Sequence, residues 1–135
     1  MVEIITTAQD NDKEKNLDSK ALRIFLKAID LLGGPRKLFE FRNITWLPSL
    51  MEAAYVILLS EEEFKSAQEI AALLGLSKNT VQNILRAKEE DVKSKIFEKL
   101  PQEEEKKAHI AGGLAKLAYK EIKEGREGIG FLNLI

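Results

Sequence analysis

A chain of 135 residues with 44% hydrophobic content can bury one compact core, which excludes two substantial domains. With no Cys it has no disulfide framework and no cysteine-based metal or nucleophile site. A formal net charge of -1 excludes an overall basic balance, so any contact with nucleic acid must come from a local basic face.

Charged residues make up 32% of the chain, with Lys and Glu dominating, a mix that suits the ion-paired surface of a thermophile protein. The N-terminus lacks the basic-then-apolar order of a secretory signal, and no apolar run reaches the ~18 to 20 residues that cross a bilayer. The expectation is a cytoplasmic protein.

Residues 1–16 open with the β-branched run Val2 to Thr7 and continue into Asp10, Asn11, Asp12, Lys13, Glu14 and Lys15. This reads as a flexible N-terminal arm, with a short strand as the alternative. A single helical domain is expected over 17–124 and a C-terminal tail over 125–135.

From Leu17 the pattern is helical. Leu22, Phe25, Leu26, Ile29 and Leu32 recur at three- and four-residue spacing, and Gly33-Gly34-Pro35 stops the helix. Leu38 to Trp46 fits either a short helix or a strand carrying aromatics to the core. Pro48 suits the first turn of the next helix, whose Leu50, Met51, Ala53, Ala54, Val56, Ile57 and Leu58 leave it apolar nearly all round, as in a buried central helix.

Ser66-Ala67-Gln68-Glu69 has the form of a capping box, so a helix starts there. Ile70, Ala71, Leu73 and Leu74 are expected on its buried face. Gly75 permits a sharp turn, Leu76 pins the turn to the core, and Ser77 caps a second helix. On that helix, at about 100° per residue, Val81, Ile84 and Leu85 fall on one side and Asn79, Gln82, Asn83 and Arg86 on the other.

The amide-rich front suits the major groove of DNA, because Asn and Gln pair bidentately with adenine and Arg with guanine. Lys78 and Lys88 stand where flanking phosphates would lie, and Lys65 is a further candidate. The expected DNA-binding residues are therefore Lys78, Asn79, Gln82, Asn83, Arg86 and Lys88, within a helix-turn-helix at 66–88.

Ala67 to Arg86, with Ala71, Gly75, Leu76, Val81 and Ile84 in place, resembles the helix-turn-helix of sigma-factor C-terminal regions and response-regulator output domains. The longer run from Trp46-Leu47-Pro48-Ser49-Leu50 through Ala87 resembles a small archaeal family of probable regulatory domains encoded beside KaiC-like ATPases. These resemblances imply regulation by binding, with double-stranded DNA or a KaiC-like ATPase as partner. After Lys88 no alternating strand pattern follows, so the expected fold is all-α, a trihelical, non-winged helix-turn-helix core braced by flanking amphipathic helices.

Two such helices follow. One spans Glu89 to Leu100; the other, roughly Gln102 to Glu124, has acids at its start, Lys120 and Lys123 at its end, and the stripe Ile110, Leu114, Leu117, Ala118 and Ile122. The partner of that stripe is either the core or a second subunit. A homodimer through the first or last helix would match palindromic half-sites.

The remaining motifs weigh toward bland roles. Glu105 and His109 share a helical face, but with no other His and no Cys they fall short of a metal site. Gly33 to Lys37 lacks phosphate-loop spacing, and Gly125 to Gly130 lacks a dinucleotide fingerprint. Phe39, Phe41, Trp46 and Phe64 are expected in the core, not as stacking platforms. The acids Glu61 to Glu63 and Glu89 to Asp91 are expected to face away from any duplex. No metal, cofactor or catalytic constellation is expected.

Overall fold

A computed structural model describes residues 8–40, 46–90, 92 and 104–132 of the chain. The fold is all-helical. In chain order the described helices are α1 (Ala8–Leu32), α2 (Lys37–Glu40), α3 (Leu47–Glu61), α4 (Ala67–Leu74), α5 (Lys78–Arg86) and α6 (Glu104–Lys123), followed by a 3-10 turn at Gly130–Leu132. No described helix is long and apolar enough to cross a membrane.

Helix α3 is the hub, touching α1, α4, α5 and α6. Pro48 lies in its first turn, where its missing amide has no intrahelical acceptor to lose. Its buried residues Leu50, Ala53, Ala54, Val56, Ile57, Leu58 and Leu59 cover most of its circumference, as the apolar run predicts for a central helix.

Helix α1 differs from the sequence expectation in two ways. It begins at Ala8, so the polar segment from Asp10 to Asn16 is helical and not part of a flexible arm. Lys, Glu and Ala propagate a helix well, and opposite charges such as Asp12 and Lys15 stand three residues apart, so an exposed helical extension costs little. Its buried stripe is also rotated. Ala21, Ile24, Ala28, Ile29 and Leu32 are buried, whereas Leu22 is 49% exposed. Ala21 and Ala28 of α1 and Ala53 and Ala54 of α3 are wholly buried in the shared core.

Gly33 and Gly34 end α1 in left-handed conformations, their amides returning to the carbonyls of Asp30 and Ile29. In the next segment the structure places the short helix α2, followed by Trp46, which is buried in the core. Phe41 and Ile44 lie outside the described residues, as do Val2 to Thr7, Asp91 and most of the segment to Leu100. Phe39 and Phe64 are corrections: both are strongly exposed, Phe64 at 86% with a left-handed backbone, φ 55°. They lie at helix ends and turns, where hydrophobicity alone does not bring a side chain to the core.

Polar contacts tie the layers together. Tyr55 Oη donates to Asp18 Oδ1 at 2.6 Å, joining α3 to α1 and pushing the phenol pKa up to about 12. Glu62, just after α3, accepts from Lys20 Nζ of α1 at 2.9 Å and from Tyr119 Oη of α6 at 3.1 Å. The Lys20 ammonium holds its carboxyl below the ordinary value of 4.5, against the effect of burial and with help from Tyr119 and Lys123.

A lowered folded-state pKa means that this contribution is present above the unfolded value and lost as pH falls through the folded one. Glu62→Gln is therefore expected to cost about 1 kcal/mol at neutral pH and to weaken the loss of stability on acidification below pH ~4.5. Urea melts of the two proteins at a series of pH values check this; parallel pH profiles would contradict it.

The C-terminal segment docks on α1. Lys27, buried on α1, donates to the Gly128 carbonyl at 2.7 Å, and Asp30 accepts from the Gly130 amide at 3.1 Å.

Candidate nucleic-acid interface

The local chemistry of α4 and α5 follows the sequence closely. Ser66 Oγ accepts from the Glu69 amide at 3.2 Å while Glu69 Oε1 accepts from the Ser66 amide at 3.1 Å, completing the capping box. Ser66→Ala removes an acceptor for an otherwise orphaned amide and is expected to cost ~1 kcal/mol, or ~3 to 5 °C in Tm by thermal denaturation.

Gly75 ends α4 at φ 70° and ψ 29°, the left-handed region where a Cβ is strained, and the Leu76 amide returns to the Ala71 carbonyl at 3.0 Å. Ser77 then caps α5, its Oγ accepting from the Thr80 amide at 3.0 Å. The two helices are thus held at a fixed turn by three local devices, and α3, α4 and α5 pack pairwise.

Val81 and Ile84 at the back of α5 are fully buried and Leu85 is half-buried. On the opposite side Asn79 and Arg86 are exposed and Gln82 and Asn83 are half-buried, while Lys78 in the first turn and Lys88 just beyond the helix are exposed. All six expected residues therefore fall on α5 or within two residues of its end. On α4, Ile70 and Ala71 are buried as expected, but Leu73 is 61% exposed, a correction to the predicted buried face. With only eight residues, α4 presents a narrow stripe to α3, and Leu73 falls outside it.

Helix α6 grips the far end of α5. A Cβ on Gly112 would lie 2.7 Å from the Ile84 carbonyl oxygen and 2.9 Å from Ala87 Cβ; one on Gly113 would lie 2.8 Å from the Lys88 carbonyl oxygen and 2.2 Å from Val92 Cγ2. Only glycine admits this approach. Between them and the end of α6, Lys116 Nζ donates to the carbonyls of Leu85 and, at 2.7 Å, Ala87. These contacts place a cation at the negative end of the α5 dipole. Desolvation holds the Lys116 pKa below its ordinary value, with Glu61 and Glu89 opposing that shift.

The sequence reading missed this brace. Its signal was present: two adjacent glycines inside a helix cost stability unless close packing requires them.

Two of the acids near the motif are engaged by the flanking helices. Glu62 is engaged by Lys20 and Tyr119, and Glu89 pairs with Lys120 of α6 at 3.7 Å. Glu61, Glu63 and Glu90 are exposed. Among the described residues no three His, Cys, Asp or Glu side chains gather as a metal-ligand cluster.

No protein-family model, curated protein or solved structure matches this chain.

Proposed function

We propose that the chain is a sequence-specific, DNA-binding transcriptional regulator that uses α4 and α5 as its helix-turn-helix and acts by binding, not by catalysis. The observation that carries this reading is the division of α5: a buried Val81 and Ile84 back, and an outward set of Lys78, Asn79, Gln82, Asn83 and Arg86 with its two bases and three amides. Asn83 and Arg86 would read base edges while Lys78 and Lys88 neutralise phosphates. Partial engagement of the neighbouring acids by α1 and α6 lowers the repulsion that a duplex would meet.

A homodimer belongs to this reading. Because Ile110, Leu114 and Ala118 of α6 are already buried in the core, the outer side of α1, where Leu22 is 49% exposed, is the better dimer face. Selection from a randomised duplex pool tests the proposal. Enrichment of paired half-sites about one helical turn apart supports it, and recovery of no common motif counts against it.

A second reading is favoured by Phe64 and Leu73. These apolar side chains, 86% and 61% exposed, sit just before and on α4, which suits an adaptor docking on a protein partner such as a KaiC-like ATPase. Phe64→Asn would relieve the left-handed strain while removing the aromatic ring. Lost partner capture with unchanged DNA binding would favour the adaptor.

A further inference from the structure

A cleft of about 350 Å³ lies on the side of the molecule formed by α1, the end of α3 and α6. Its apolar lining comes from Ile24, Leu58 and Ile122, of which Ile24 and Leu58 are almost fully buried. Around this floor stand the cations Lys20, Arg23 and Lys123 against the acids Glu62 and Glu127, an excess of one positive charge.

The two acids are not equally available. Glu62 already accepts from Lys20 at 2.9 Å and from Tyr119 at 3.1 Å, with Lys123 at 3.8 Å. Arg23, by contrast, meets Glu127 only at 3.6 Å, and both side chains are more than half exposed. Such an exposed pair is worth little and yields readily to a better-placed carboxylate, which guanidinium binds bidentately. The volume lies at the small end of the range for small-molecule pockets.

We propose that this cleft binds a small organic carboxylate with an apolar body, the body resting against Ile122 and the Tyr119 ring above the buried Ile24 and Leu58, and the carboxylate on the Arg23 guanidinium. The cleft is linked to the candidate interface, because α6 carries Ile122 and Lys123 at one end and, about two and three turns earlier, Lys116 and the glycine pair that hold α5. A ligand that shifts α6 is therefore felt at Leu85 to Lys88. The ligand-binding step itself does not depend on whether α5 reads DNA.

The test is a proton–nitrogen correlation titration of the full chain, without DNA, using benzoate and isovalerate as probes and their neutral amides as controls. The expected result is saturable shifts at Arg23, Leu58, Ile122 and Lys123 that extend to Leu85 and Ala87, with the acids binding at least ~10-fold more tightly than the amides. Arg23→Gln should abolish that preference while leaving the spectrum folded. Absence of saturation up to about 10 mM, or equal binding of acid and amide, overturns the carboxylate site. Saturable shifts that stop within the cleft overturn the link to α5.

Discussion

Gly113→Val is expected to lower the stability of the protein by about 3 kcal/mol or more, read as a fall in the urea midpoint. The helix propensity of the new residue favours it slightly, but Val cannot fit where even a Cβ would stand 2.8 Å from the Lys88 carbonyl oxygen and 2.2 Å from Val92 Cγ2. Gly112→Ala gives the sharper test of sign. In an ordinary helix this change stabilises by ~1 kcal/mol; here the Ile84 carbonyl oxygen at 2.7 Å is backbone and cannot swing aside, so a net loss of about 1 to 2 kcal/mol is expected. A gain in stability would mean that α6 does not press on α5 as described.

The second large effect concerns recognition. Asn83→Ala and Arg86→Ala are each expected to reduce specific affinity by ~10- to 100-fold, corresponding to ~1 to 3 kcal/mol, when measured by electrophoretic retardation on a selected duplex. Arg86 is exposed and Asn83 half-buried at the front of α5, so stability should change by only ~0.5 kcal/mol. Lys78→Ala and Lys88→Ala should weaken binding to all duplexes alike and each lower the salt slope by about 1. This contrast separates residues that read bases from those that hold phosphate.

Local chemistry was the most legible part of the sequence. The capping box at Ser66, the left-handed Gly75, the Ser77 cap, Pro48 at the start of α3 and the buried Val81 and Ile84 each follow from a short-range rule that needs no knowledge of the partner surface. Long-range packing was less legible. The rotated face of α1, with Ala21, Ile24 and Ala28 buried and Leu22 exposed, is set by what it packs against and not by its largest apolar residues, and the early start of α1 at Ala8 reflects helix propensity in a segment whose polarity suggests an unstructured arm.

Exposure of Phe39 and Phe64 shows the limit of composition as a guide, because neither a one-turn helix nor a turn has the periodic face that aims an aromatic inward. Within the candidate site, helical periodicity singles out Asn79, Gln82, Asn83 and Arg86, and Lys78 and Lys88 follow from their places at the two ends of that helix. The brace formed by Gly112, Gly113 and Lys116 was not found in this way, since its function appears only when α6 is laid across the end of α5.

Binding of duplex DNA by the front of α5 remains the first property to measure. It is tested most directly by fluorescence-anisotropy titration of the purified full chain against its upstream DNA and a randomised duplex pool at several salt concentrations. The expected result is binding that weakens as salt rises and a preferred sequence held at least ~10³-fold more tightly than the pool. Absence of binding even at low salt would contradict it and shift the assignment to a protein-docking adaptor.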